Sequence, residues 1–294
     1  MDDRQTQLAA WAKKTICEHH SVSTDPLDFK WQVISADASF RRYFRLSCHS
    51  ATWVAVDAPP SHENLTAFLQ VQKILLAHHV NAPQLIAVDL TQGFMLLSDL
   101  GDTLLLSLLK AEPSKENPYR SAIQALVQIQ SIPNEALVEL PSYDTKRLMD
   151  EMQLFRDWHV IQFLGYSLSP AEEKSFQLFC QQLIEDILRQ PSVLVHRDYH
   201  SRNLMVLPQE KLGVIDFQDA VIGPISYDWV SILKDCYMAW PRSLVQAWMQ
   251  EALALLKEKH LLKQTLDAPT WLQWFDTMGL QRHIKIVGIF SRLC

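Results

Sequence analysis

The chain has 294 residues, 48% of them hydrophobic and 20% charged, with a formal net charge of −6. That length supports a large core divided between two lobes, and the acidic balance argues against a nucleic-acid binder, which usually carries a basic face. Five cysteines (Cys17, Cys48, Cys180, Cys236 and Cys294) are odd in number and never form C-x-x-C, which excludes a paired disulfide scaffold and predicts reduced thiols in a cytoplasmic protein.

The opening MDDRQTQLAAW lacks the basic-then-apolar order of a signal peptide. Leu8, Ala9, Trp11 and Ile16 recur at near-helical spacing, so residues 5–19 are expected to form an amphipathic helix. Three strands are then predicted, over Lys30 to Ile34, Phe40 to Leu46 and Thr52 to Val56. The first two flank a glycine-free turn, Ser35-Ala36-Asp37-Ala38-Ser39, and Arg41, Arg42 and Arg45 follow it. Ser61 reads as the N-cap of a helix running to about His79, with Glu63 in its first turn. Pro83 to Val88 and Phe94 to Leu97 read as a strand pair, followed by Ser98-Asp99-Leu100-Gly101.

From Leu104 onward helices dominate. They are predicted over Pro118 to Ile129, over Asp144 to Phe163 with Gly165 closing the end, and from the capping box Ser169-Pro170-Ala171-Glu172 to about Arg189. On the second of these, Glu151, Phe155 and Trp158 share a face if the helical period holds. An aromatic face with a carboxylate suits a sugar; the same stripe also reads as a core face with a rim acid. Ser243 to Lys259 and Thr270 to Leu293 complete the helices. No apolar run reaches the roughly eighteen residues of a membrane span. None of the seven glycines forms G-x-G-x-x-G or a P-loop, which disfavours a Rossmann dehydrogenase and a P-loop kinase.

The chemistry is concentrated in VLVHRDYHSRNLMVLPQEKLGVIDFQD, residues 193–219. Apolar Val193-Leu194-Val195 and Leu204 to Leu207 enclose a polar loop, and Leu212 to Ile215 leads into Asp216. The order His196-Arg197-Asp198, Asn203, Asp216-Phe217 resembles the catalytic loop and metal-binding pattern of protein-kinase-like phosphotransferases. In that pattern Asp198 accepts the proton of an attacking hydroxyl, while Asn203 and Asp216 offer hard oxygen ligands to Mg²⁺ on the phosphates of ATP.

The resemblance implies further roles. The turn carrying Ser35 and Ser39, with Arg41 and Arg42, stands where such enzymes cover the phosphates; the three arginines also read as a solvated face. Ser98, Asp99 and Leu100 stand at the hinge that reads adenine through the main chain, dividing a nucleotide lobe (1–97) from a catalytic and substrate lobe (102–294). His200 or Arg202 would stabilise the transferring phosphoryl group or serve the loop's own bonds. His196 and Asp228 hold the loop. Asp57 occupies the position of the strand lysine, so either an arginine of the second strand supplies that charge or the nucleotide is bound more weakly or in a different arrangement. Glu63 is either the helix acid that pairs the cation or a surface carboxylate.

HRDYHSRN in place of HRDLKPEN points to the aminoglycoside and choline phosphotransferase branch. Within it, ADASFRRYFRL, VDAPP, LFRDWHV and IDFQDAVIGPISYDWVSILKD resemble the bacterial anomeric sugar kinases of cell-wall recycling, which phosphorylate the C1 hydroxyl of N-acetylmuramate and N-acetylglucosamine. A longer C-terminal tail than RHIKIVGIFSRL is expected from that resemblance. The expectation is therefore an α+β, two-lobed, kinase-like fold and a monomeric ATP- and Mg²⁺-dependent amino-sugar kinase without nucleic-acid or membrane partners. Kinases of aminoglycosides or choline, a non-catalytic nucleotide-binding module and an interaction scaffold remain alternatives.

Overall fold

The computed structural model describes residues 2–20, 29–35, 40–111 and 117–294. The chain divides into two compact units, one of residues 1–103 with 205–218 and one of residues 104–204 with 219–294.

The first unit is built on a five-stranded antiparallel sheet. Its strands are β1 (Phe29–Ser35), β2 (Arg42–Cys48), β3 (Ala51–Asp57), β4 (Leu85–Asp89) and β5 (Phe94–Ser98), in the order β1-β2-β3-β5-β4. Alternation along β2 buries Phe44, Leu46 and Cys48 against helix α1 (Asp3–His20), whose Leu8, Ala12 and Ile16 are fully buried, with Trp53, Ala55, Phe94 and Leu96. Side chains of period two and period 3.6 thus meet on one face of the sheet. The loop of the phosphate-covering turn, including Ser39, lies outside the described residues.

Helix α2 (Leu65–Ala77) starts later than the sequence predicts. Its N-cap is Asn64, which accepts from Thr66 N, because the Pro59 carbonyl draws His62 N and Glu63 N into a turn first. Glu63 therefore precedes the helix. Strands β7 (Leu204–Val206) and β8 (Leu212–Val214) pair with each other. They bond to the first unit through Val206 N to Thr103 O and Val214 N to Asn81 O.

The second unit is helical: α3 (Leu105–Ala111), α4 (Asn117–Gln130), α5 (Thr145–Leu154), α6 (Pro170–Leu188), α7 (Tyr227–Leu233), α8 (Arg242–Glu258) and α9 (Ala268–Leu293). A short antiparallel pair, β6 (Ser192–Val195) and β9 (Val221–Pro224), carries the catalytic stretch. The predicted capping box is present: Ser169 N donates to Glu172 Oε2 (2.8 Å) and Glu172 N to Ser169 Oγ. Gly165 takes φ +66°, as a left-handed helix terminator does.

The single long helix expected over residues 144–163 is two pieces. α5 ends at Leu154 and a π-helix follows over Phe155–Phe163. The change falls where α9 crosses at Gly288; a Cβ there would lie 2.5 Å from Leu154 C and Phe155 N, so only glycine lets the two backbones approach. The wider winding aligns Phe155, His159 and Phe163, whose rings stack at 5.2 and 5.6 Å.

Candidate active site

In the second unit the polar loop begins where β6 ends. Asp228, fully buried in the first turn of α7, accepts from His196 N (2.6 Å) and Arg197 N (3.1 Å). Burial pushes its carboxyl up to about 6 against the pull of those bonds and of nearby His196 and Arg282. Arg197 has φ +76°, a region that costs a non-glycine residue of order 1–3 kcal/mol. The conformation is held from both sides. The backbone is tied to Asp228, and the guanidinium is tied to Glu151 (2.8 Å) over the Tyr143 ring.

Asp198 therefore projects from a fixed backbone. Burial opposes its ionisation, yet Lys285 and Arg282, then His200 and His196, hold its carboxyl below the ordinary range. It is an anion at neutral pH, as a hydroxyl-orienting base must be. The Asn203 amide donates to the Asp198 carbonyl (3.0 Å), which fixes which end of that amide carries the lone pairs. The middle of the loop is tied down by Asp235, which accepts from Ser201 N (2.9 Å), Ser201 Oγ (2.5 Å) and Tyr237 N (2.9 Å). His200 packs edge-on against Tyr237, and Arg202 lies over the same ring. Burial keeps His200 low despite Asp198 and Asp235.

Glu151 does not line an acceptor wall. It is 7% exposed, and its oxygens accept from Arg197, Lys285 (2.9 Å), Tyr143 and Gln281 (3.1 Å). Four donors saturate it, leaving nothing for a sugar hydroxyl. The π-helix also undoes the predicted shared face: Phe155 stacks on His159 and Phe176, while Trp158 is 37% exposed. Sequence reasoning missed the roles of Gln281, Arg282 and Lys285. Their signal was three polar side chains on one side of an apolar helix, and all three are buried in α9.

In the first unit Asp216 takes φ +62° and its Oδ1 accepts from Gln218 (2.9 Å). Phe217 is buried on Phe68 with ring centres 4.8 Å apart. Arg41, 8% exposed, pairs with Glu63 at 2.7 Å, and Tyr43 feels the charges of Arg41, Asp216 and Glu63 together. Arg42, expected at a phosphate, is instead a counter-ion. Asp57 is fully buried between Arg42 (Nη2, 2.5 Å) and Arg4 (Nη2, 2.5 Å), and Asp2 takes Arg42 as well. A carboxylate at the end of β3 is thus neutralised from within. Asp99 is likewise occupied, by Arg45 (2.6 and 3.0 Å) and Gly101 N (2.9 Å). The Ser98 hydroxyl accepts from Gln84 N, and Leu100 reaches Gly213. Ser35 ends β1, and its hydroxyl is not among the described groups.

Among the described residues no three His, Cys, Asp or Glu side chains gather as a metal site. An amide oxygen and one carboxylate suit Mg²⁺, which keeps several waters and takes its other ligands from substrate phosphates. No helix among those residues is long and apolar enough to cross a membrane.

Residues 30–263 match the model of the phosphotransferase enzyme family. The chain belongs to that family. It is 40% identical over 264 residues to an N-acetylmuramate/N-acetylglucosamine kinase of Pseudomonas putida, covering 88% of this chain and 75% of that protein. To the Neisseria meningitidis protein of the same name it is 36% identical over 299 residues, covering 99% and 84%. The family's fold is also seen in solved structures. The GDP complex of aminoglycoside 2'-phosphotransferase-IIIa has a TM-score of 0.65 at 16% identity, covering 99% of this chain and 93% of that one. A choline kinase from Cryptosporidium parvum has a TM-score of 0.65 at 14% identity, covering 97% and 90%. The α+β, kinase-like fold expected from the sequence is therefore the fold of the chain.

Proposed function

We propose that this protein is an ATP-dependent kinase that phosphorylates the anomeric C1 hydroxyl of N-acetylmuramate and N-acetylglucosamine. The observation that carries the reading is Asp198: a carboxylate kept ionised by buried cations, on a loop whose backbone is held by Asp228 and Asp235. Phosphoryl transfer asks little else of a protein beyond positioning and charge. The acceptor follows from the curated relatives, all of which carry that kinase name.

In this reading Asp198 accepts a hydrogen bond from the sugar's C1 hydroxyl and aims its lone pair at the γ-phosphorus. It takes the proton as the new oxygen–phosphorus bond forms and the bond from the γ-phosphorus to the bridging oxygen breaks, ADP leaving with that oxygen. Asn203 and Asp216 would hold Mg²⁺, which when bound neutralises the β- and γ-phosphate oxygens. The Arg41–Glu63 pair stands in for the cation that Asp57 cannot supply. Residues 98–101 form the hinge, and main-chain groups there read adenine, since the Ser98 and Asp99 side chains are occupied. His200 and Arg202 support the loop through Tyr237. ATP as donor fits a cytoplasmic protein.

The test is incubation with Mg-ATP and a panel of N-acetylated sugars, choline and aminoglycosides, with phosphorus NMR to locate the phosphate. A C1 phosphate on the two amino sugars is expected. A phosphate on another carbon, or only on an amino alcohol, sinks the assignment.

A further inference from the structure

Arg45 lies on β2 in register with Val54 of β3, and Val54 is in register with Leu97 of β5, so the three form one row across the sheet of the first unit. Asp99, two residues past Leu97 and one past the end of β5, continues the alternation onto the face that Arg45 shares. Arg45 reaches it across β3. Its Nε donates to Asp99 Oδ2 (2.6 Å) and its Nη2 to Asp99 Oδ1 (3.0 Å), a bidentate guanidinium–carboxylate pair. The same Nη2 donates to the Gly101 carbonyl (2.9 Å), and Nη1 meets Asp102. Four of the five N–H groups of one guanidinium are thus spent within residues 99–102.

Asp99 closes the turn from within. Its Oδ1 accepts from Gly101 N (2.9 Å), and Gly101 takes φ +90°, which glycine adopts without strain. Burial opposes the charge on Asp99, yet Arg45, the Gly101 N–H and the Thr52 hydroxyl hold its carboxyl below the ordinary range. The Asp99 side chain is 4% exposed and that of Asp102 is 80% exposed, so the first pairing carries the contact and water screens the second. Upstream, Ser98 N donates to Gln84 O (2.9 Å). Downstream, both main-chain groups of Gly101 are taken. Between them Leu100 lays its side chain over Gly213, where a Cβ would lie 2.7 Å from Leu100 Cδ1. Leu100 is therefore held on both sides along the chain and through its side chain as well.

We propose that Arg45 is a positioning residue of the nucleotide site: acting through the Asp99–Gly101 turn, it presents the main chain at Leu100 to the base in one orientation, and base selectivity depends on it. The proposal rests on the reading of residues 98–101 as the hinge that meets adenine, and adds to it the side chain that sets the hinge. Adenine and guanine carry opposite groups at the six position, an amino donor against a carbonyl acceptor. A main chain of fixed orientation tells the two apart, and one free to turn serves either. An ion pair that only stabilises the fold would move the melting temperature and leave that discrimination alone.

The experiment measures kcat and KM for ATP and for GTP at saturating N-acetylglucosamine, and KM for the sugar at saturating ATP, in the whole protein with thermal melting alongside. R45M should raise KM for ATP about tenfold, the order of one charge-assisted hydrogen bond. It should lower the ATP-to-GTP ratio of kcat/KM by about the same factor and leave KM for the sugar within about twofold. R45K keeps the charge without the planar fork, so it should still lose at least about threefold in that ratio, and it decides the matter should R45M not fold. D102N should keep the wild-type ratio; a loss as large as that of R45M contradicts the assignment to the Asp99–Gly101 turn. An unchanged ratio in the Arg45 variants, or equal losses for both nucleotides, overturns the proposal and leaves a structural ion pair. Wild-type protein that uses ATP and GTP equally overturns the hinge reading and the proposal with it, and wild-type protein that uses neither overturns the kinase reading first, so the failures are distinct.

Discussion

Replacing Glu151 with Gln tests whether this residue belongs to the interior or to the substrate. The carboxylate sits 2.8 Å from Arg197, 2.9 Å from Lys285 and 3.1 Å from Gln281, and it also accepts from Tyr143. Glutamine keeps the volume but removes the charge, leaving buried Lys285 and half-buried Arg197 without their anion and turning an amide donor toward another donor. Breaking a buried pair from one side costs roughly 3–5 kcal/mol. At roughly 2–4 °C per kcal/mol for chains of this size, the melting temperature should fall by about 10 °C. Arg197, no longer held against its positive φ, should then lose its fixed geometry, and kcat should fall with stability. Lys285→Met should cost less, because Arg197 still pairs with Glu151. The assay is thermal melting alongside steady-state kinetics. E151Q protein that melts like the wild type but shows a raised KM for the sugar would return Glu151 to the acceptor wall and refute the argument.

Three further outcomes follow from the same geometry. D198N should lose about 10²–10⁴-fold in kcat while Mg-ATP still raises its melting temperature; undiminished turnover removes Asp198 from its role. R42M should lower the melting temperature by breaking the Arg42–Asp57 contact while leaving KM for ATP within about twofold, since the group is a counter-ion; a large rise in that KM with unchanged melting places Arg42 at the phosphates. Asp228 titrates at about 6 in the fold against 3.8 unperturbed, so the fold favours its neutral form. That contribution is full below pH 3.8 and is lost as the pH rises through 6, amounting to roughly 3 kcal/mol over the interval. Melting of wild type and D228N across pH 4–7 should therefore show the wild type's advantage shrinking with rising pH; a pH-independent difference contradicts the shift.

Short-range signals were legible in the sequence. The Ser169–Glu172 capping box, the left-handed Gly165 and the alternation of Phe44 and Leu46 each depend on residues within a few positions, and each appears where read. The polar loop was legible because strand ends and a turn fix its spacing. What failed needed partners far along the chain. Asp57 looked like a lysine position filled wrongly until Arg4, 53 residues upstream, was seen to share it. Glu151 looked like a rim acid until Lys285, 134 residues downstream, reached it. The π-helix escaped because a 3.6-residue period was assumed through a stretch whose winding loosens against Gly288.

The Arg197–Glu151 contact also bears on control. Many protein kinases leave the arginine before the catalytic aspartate waiting for a phosphorylated side chain, whose arrival orders the neighbouring segment. Here an internal acid already pairs with that arginine through its Nη2, and Asp228 holds its backbone, so the fold's own carboxylates brace the loop. The brace is therefore in place as soon as the helical unit folds, before any substrate arrives.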